Sequence, residues 1–259
     1  MRRLLVLLAL VGAPLSAQGT DSVPPAPATA RYPFSVGERF NYQVKFGIFS
    51  VGRATMEVMG IDTLRAQETF RFRLTINGRA LFFSLDDTLQ SWTDIREFHS
   101  FRFFQRNNED GKIRVRDFLI YPDSGFYRQP NRMDTSYVTV PDPLDDVAFF
   151  YWVRTLPLVV GETYTWDRYF MPDRNPVSIR VLKRQKCELP HDERRQCLLI
   201  QPTIKSSGLL SEAANARILI TDDVDRIPVE VRTSFSFGTL SLKLRGVTRG
   251  APAPALVAP

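Results

Sequence analysis

Three pairs of adjacent carboxylates are the residues of this chain best suited to chemistry: Asp86-Asp87, Asp145-Asp146 and Asp222-Asp223, the last joined by Asp225. Gathered in space they could hold calcium, which favours clustered hard oxygen ligands, or supply the acid and base of a glycosidase. Adjacent residues on a strand point to opposite faces, so each pair offers only one carboxylate to a shared site. Asp is also a common residue of turns and helix starts, where its side chain binds nearby backbone N–H groups. The local reading is therefore preferred: Asp145 and Asp146 open a helix, and Asp222, Asp223 and Asp225 shape a turn. Of the three, the Asp222 turn is the best placed for a cation, but no metal is expected.

Other catalytic devices lack their parts. The only histidines are His99 and His191, and neither accompanies a G-x-S-x-G elbow. No HExxH, phosphate-binding loop or GxGxxG pattern occurs, so no cofactor is expected and the reading is non-enzymatic. The two cysteines, Cys187 and Cys197, bracket the charged segment CELPHDERRQC. In an oxidising compartment that spacing predicts a disulfide closing a hairpin loop. A metal site there would have only His191 as a further soft ligand.

Aromatic residues are the more suggestive feature, with 19 Phe in 259 residues. Phe82, Phe83, Phe101, Phe103, Phe149, Tyr151 and Trp152 are the candidates for lining an apolar cavity. Arg102, with Arg71, Arg73, Arg114 and Arg116, is the candidate to meet an anionic head group. The competing reading is that these aromatics are simply the core, each burying a large area.

Such residues need strands to position them. Phe40, Tyr42, Val44 and Phe46 alternate with polar neighbours, as do Phe70, Phe72, Leu74 and Ile76. That period of two marks strands with one buried and one wet face. Asn107-Asn108-Glu109-Asp110-Gly111 turns one hairpin, and residues 217–246 read as a three-stranded meander hinged near Gly238. One helix is predicted near 144–154, with Leu144, Val147, Ala148, Tyr151 and Trp152 at helical spacing and Asp142 or Asp145 as its cap. Val36-Gly37-Glu38-Arg39-Phe40-Asn41-Tyr42 echoes Val160-Gly161-Glu162-Thr163-Tyr164-Thr165-Trp166. Two sheet halves opened by Gly turns, or coincidence, would account for it.

The first residues carry an address. Arg2 and Arg3, the apolar run Leu4–Val11 and the small-residue exit at Ala17 form a secretory signal peptide over 1–17. No Cys follows the exit, as a lipoprotein would require, and no later run is long enough to span a bilayer. A periplasmic or secreted protein is expected. Residues 18–31 are a Pro/Ala-rich disordered linker, 32–249 a single β-rich domain and 250–259 a disordered tail. The formal net charge is +6, or +4 without Arg2 and Arg3. Spread along the chain, it is no nucleic-acid footprint but is compatible with anionic lipid nearby.

FSVGERFNYQVKFGIFSVGRATMEV, DPLDDVAFFYWVRTLPLVVGE and ITDDVDRIPVEV with GTLSLKL together resemble the exported bacterial "domain of unknown function 3108" family, from about Tyr32 to Gly246. The resemblance implies a secreted, mainly β protein with no assigned activity. The strand pattern also looks like the half-barrels that carry lipoproteins, in which helices plug a curved antiparallel sheet. The expected fold is all-β, a strongly curved antiparallel half-barrel or open barrel with that one helix. The expected function is binding of a lipid-like or apolar ligand in envelope maintenance, with an envelope protein as a further partner. A protein- or carbohydrate-interaction module without a cavity is the alternative, and a carboxylate-dependent envelope hydrolase the third.

Overall fold

The computed structural model describes residues 32–80, 83–205, 215–235 and 238–251. The signal peptide and linker expected over 1–31 lie outside them, as does the tail beyond residue 251. Among the described residues fourteen strands form one antiparallel sheet in the order β8-β7-β6-β5-β4-β3-β2-β1-β14-β13-β12-β11-β10-β9. Each strand pairs with its sequence neighbours except that β8 and β9 do not meet, and β1 (Arg39–Phe46) pairs with β14 (Gly238–Thr248) to join the two series. The edges are β8 (Tyr137–Val138) and β9 (Thr163–Trp166), so the sheet stays open. This is the curved, open all-β fold that the alternation predicts.

Curvature has a local cause. The ladder slips at Asn41/Tyr42, Val44/Lys45, Val58/Gly60, Trp92/Thr93, Val181/Lys183 and Leu219/Ile220. Each bulge bends its strand and adds right-handed twist, so a sheet with six of them curls. In β2 (Phe49–Leu64) Gly52 stands opposite Gly78 of β3 (Gln67–Ala80), so close that a Cβ at 52 would collide with the Asn77 carbonyl.

The concave face is filled. Phe40, Tyr42 and Val44 of β1, Met56 and Val58 of β2, and Phe72 and Leu74 of β3 are all buried. Over them lies α1 (Asp146–Trp152), the one α-helix among the described residues, whose residues from Val147 to Trp152 are all buried. Seven residues are too few for a helix to persist alone in water, and this one is apolar on every side, so burial makes it. Tyr151 stacks on Phe72 with centroids 3.9 Å apart. Of the two predicted caps it is Asp145 that serves: its Oδ1 accepts from the N–H groups of Val147 and Ala148, both at 2.9 Å.

The echo between the halves is structural. Gly37 N–H donates to Val58 O (2.8 Å) and Val58 N–H to Glu38 O (2.9 Å). Gly161 N–H donates to Val181 O (2.9 Å) and Val181 N–H to Glu162 O (3.0 Å). Both glycines sit at positive φ, +86° and +92°, where a Cβ is strained. The same turn thus starts β1–β2 and β9–β10 (β10, Val177–Glu188). Within β10 and its partner β11 (Arg194–Thr203), Cys187 and Cys197 are disulfide-bonded with Cα atoms 5.8 Å apart.

One ion pair distinguishes the first turn. Just past α1, Arg154 is fully buried and bound to Glu38 at 2.5 and 3.0 Å. Its guanidinium also donates to the carbonyls of Pro33 (2.8 Å) and Asp225 (2.8 and 3.3 Å). Removing one partner of such a pair strands a charge in the interior, which costs about 3–5 kcal/mol. Glu38→Gln should therefore destabilise by about that amount in urea unfolding, while Glu38→Gln with Arg154→Met should recover much of the loss. A double variant no more stable than the single would show that the pair's charges do not govern this site.

Candidate functional site

A cleft of about 300 Å³ lies at the seam where the sheet fails to close. One wall comes from β5 (Ser100–Glu109), β6 (Lys112–Tyr121), β7 (Phe126–Arg128) and β8, the other from a strap at residues 169–174. Phe103, Phe118, Tyr169 and Phe170 form a buried floor, and Tyr127 and Tyr137 stack across the mouth, 5.3 Å between centroids. Phe170 packs edge-on or tilted against Phe103, Phe118 and Tyr127 at 5.2–6.1 Å.

The strap is fixed from several sides. Phe170 N–H donates to Leu144 O (3.0 Å), and Thr139 Oγ1 donates to Phe170 O (2.7 Å). Asn175 closes it into a loop, its Oδ1 accepting from Tyr169 N–H (2.8 Å) and its Nδ2 donating to Tyr169 O (2.9 Å). From the cleft a bonded chain runs inward: Arg174 Nη1 donates to Tyr169 Oη (3.1 Å), which donates to Asp146 Oδ2 (3.2 Å). Burial first, then the Asp146 carboxylate, holds the Tyr169 hydroxyl well above the ordinary tyrosine range, so it stays a donor.

The charged side chains that line the cleft are all basic, and the Arg174 charge also acts on the Asp146 carboxylate behind Tyr169. Arg116, Arg132 and Arg174 line the cleft beside Gln105 and Gln129, and no carboxylate does. Among the described residues none of these three arginines has an ion-pair partner. Elsewhere arginines near carboxylates pair closely: Arg73 with Glu57, Arg102 with Asp117 and Arg195 with Asp223, at 2.6–2.7 Å.

The aromatic residues singled out in the sequence are divided by the structure. Phe103 lines the cleft, whereas Phe149, Tyr151 and Trp152 are core residues of α1. Phe101 is buried under the Arg65 guanidinium, 5.1 Å from its ring centroid. Phe83 opens β4 (Phe83–Asp94), and Phe82 lies outside the described residues. Arg102 points to the convex face, opposite to Phe103, where it binds Asp117 and stacks 4.6 Å over Trp92. Arg71 and Arg73 share that face with Gln90 and Glu57. Arg114 approaches Glu109 at 3.8 Å, and Arg116 alone of that set reaches the cleft. Arg132, Arg174, Tyr137 and the Tyr169-Phe170 pair were not singled out. Their signal, aromatic and basic residues in short segments without alternation, is what any loop carries.

The carboxylate pairs go to separate places. Asp222 meets Arg184 and Arg226, Asp223 meets Arg195, and Asp225 meets Arg249 at 2.9 Å and Arg195 at 3.6 Å. Asp223 stays below the usual carboxylate range: burial raises it, but the Thr221 hydroxyl and Arg195 outweigh that. Asp86 pairs with Arg106, and Asp87 accepts from Asn108 N–H. Among the described residues no three His, Cys, Asp or Glu side chains group as a metal site would require. Nor is any helix among them long and apolar enough to cross a membrane.

Together, the meandering open sheet, the plugging helix and the seam cleft define a barrel-like β protein. The chain belongs to the family described as "Protein of unknown function (DUF3108)", whose model matches residues 41–245. A crystal structure of a beta-barrel-like protein of domain of unknown function DUF1849 from Brucella abortus aligns over 84% of this chain and 99% of its own, with TM-score 0.56 and 12% identity. That likeness is one of fold. The hypothetical protein CT021 from Chlamydia trachomatis aligns over 90% of this chain and 98% of its own, at 10% identity and a TM-score of 0.27, too low to argue from. No curated protein matches the chain.

Behind the floor, Asp145 is fully buried and accepts from Ser91 Oγ at 2.6 Å. Burial pushes its carboxyl up to about 7, against the bonds from Ser91 and Ala148. A carboxyl raised on folding binds its proton more tightly in the native state. Its stabilisation is complete below the unfolded value near 4 and is lost as pH rises through about 7. The urea midpoint should therefore fall between about pH 5 and about pH 8, and Asp145→Asn, which keeps the capping oxygen, should flatten that fall. Parallel pH profiles for the two proteins would exclude Asp145 as the cause.

Proposed function

We propose that the protein is exported and works in the envelope without catalysis, holding in the seam cleft a small molecule with an apolar or aromatic body and an anionic head. The observation that carries this is the meeting of three guanidiniums lacking carboxylate partners among the described residues with a floor of buried rings. An anion would be bound by charge-assisted hydrogen bonds while its body stacks on the aromatic floor. A volume near 300 Å³ is at the small end for ligand sites, so it suits a head group with a ring or a short acyl segment. Under α1 the residues of the concave face are buried in the core. Export is supported by the Cys187–Cys197 disulfide and by the signal-peptide pattern over 1–17, and the periplasm is the compartment that fits both.

Anilinonaphthalene sulfonate, an anionic aromatic probe, tests the site by fluorescence titration. Arg116→Gln with Arg174→Gln should weaken it about tenfold or more, while the uncharged probe phenylnaphthylamine should bind both proteins alike. Unchanged sulfonate affinity in the double variant would defeat the proposal.

A further inference from the structure

We propose that the β1–β2 hairpin tip is a membrane-contact element that seats the protein on an anionic lipid surface. Ile48 is 84% exposed and Phe49 68% exposed, side by side at the turn. Phe46 pairs with Phe49, so the loop is only Gly47-Ile48, and Gly47 supplies the left-handed conformation at φ +58°. Turn chemistry asks for Gly, Asn or Asp there and has no use for an isoleucine followed by an exposed phenylalanine. The Asp110-Gly111 turn between β5 and β6, at the same rim of the sheet, uses the ordinary residues.

The tip cannot fold back to hide these side chains. β1 lies inside the sheet, paired on one side with β14 and on the other with β2. Gly47 N–H donates to Thr239 O (2.9 Å), and Gln43 Nε2 donates to Ser50 Oγ (2.8 Å) just behind the turn. Two apolar residues are therefore held out on a rigid support.

Charge behind the tip selects the surface. Lys45, Arg53 and Arg79 stand on the convex face at that end of β1, β2 and β3, sharing it with Gln43 and Asn77 by register. The two carboxylates of β2, Glu57 and Asp62, are taken by Arg73 and Arg71. Among the described residues Lys45, Arg53 and Arg79 have no ion-pair partner. An apolar wedge backed by basic residues binds membranes by burying the wedge and by attraction to anionic head groups.

Co-sedimentation with vesicles of phosphatidylcholine, alone or mixed with phosphatidylglycerol, tests this. The protein should bind the mixed vesicles, and Ile48→Ser with Phe49→Ser should reduce that binding about tenfold without moving the urea midpoint. Lys45→Gln with Arg53→Gln should remove the preference for phosphatidylglycerol. Failure of the parent protein to bind the mixed vesicles would overturn the proposal. So would equal binding by the tip variant.

Discussion

The buried Arg154–Glu38 pair ties together parts of the chain that the sheet alone leaves independent. Glu38 ends the turn before β1, Arg154 follows the buried helix, and Asp225 sits in the turn between β12 (Arg217–Thr221) and β13 (Pro228–Phe235). A guanidinium has five donors in a fixed fork, and this one spends them on one carboxylate and two carbonyls. Rings of Phe34, Phe40 and Tyr151 lie within 5.2–5.9 Å of its carbon. A lysine offers one compact charge and could not serve three segments in these directions. The three stretches that carry the family resemblance are those this side chain joins, so the fingerprint coincides with a structural lock.

That lock explains the helix. Seven residues, six of them apolar, have no helical stability of their own, and the sheet's concave face would otherwise be open to water. Asp145 fixes the helix start by its cap and its bond to Ser91 on β4; Arg154 fixes the exit. Between those polar clamps the rings of Tyr151 and Phe72 supply the contact area. A buried carboxyl at one end and a buried ion pair at the other are costly groups, tolerable because each is fully bonded.

Much of this was legible in the residues. Strict alternation in β1 and β3, the Asp110-Gly111 turn, the Asp145 cap and the Cys187–Cys197 pairing are local patterns with local causes. The arginine of the lock was not, because an Arg after an aromatic helix reads as a solvated end until a carboxylate 116 positions away is placed beside it. The cleft was hidden for the same reason. Phe103 was visible as a strand aromatic, but Phe170 reaches it from a strap with no periodicity, 6.1 Å away across the seam. Among the rings named at the outset, helical spacing could not say whether Tyr151 faces a cavity or a core; the stack on Phe72 makes it core.

Why the cleft lies at the seam follows from the strands themselves. Away from β1 the first series shortens, from 14 residues in β3 to 3 in β7 and 2 in β8, while β9 has 4. Edges this short leave few unpaired groups to recruit another chain, but they also cannot meet to close a barrel. The chain covers the opening with a strap, whose contact with Leu144 is a single parallel bridge. Side chains must then do what a ladder does elsewhere, and rings packed at angles leave gaps that ladders do not. The inner faces of β5 and β6 are therefore screened by Phe170 and Tyr169 yet remain reachable between Arg116 and Arg174. A cleft in this fold opens where backbone pairing runs out.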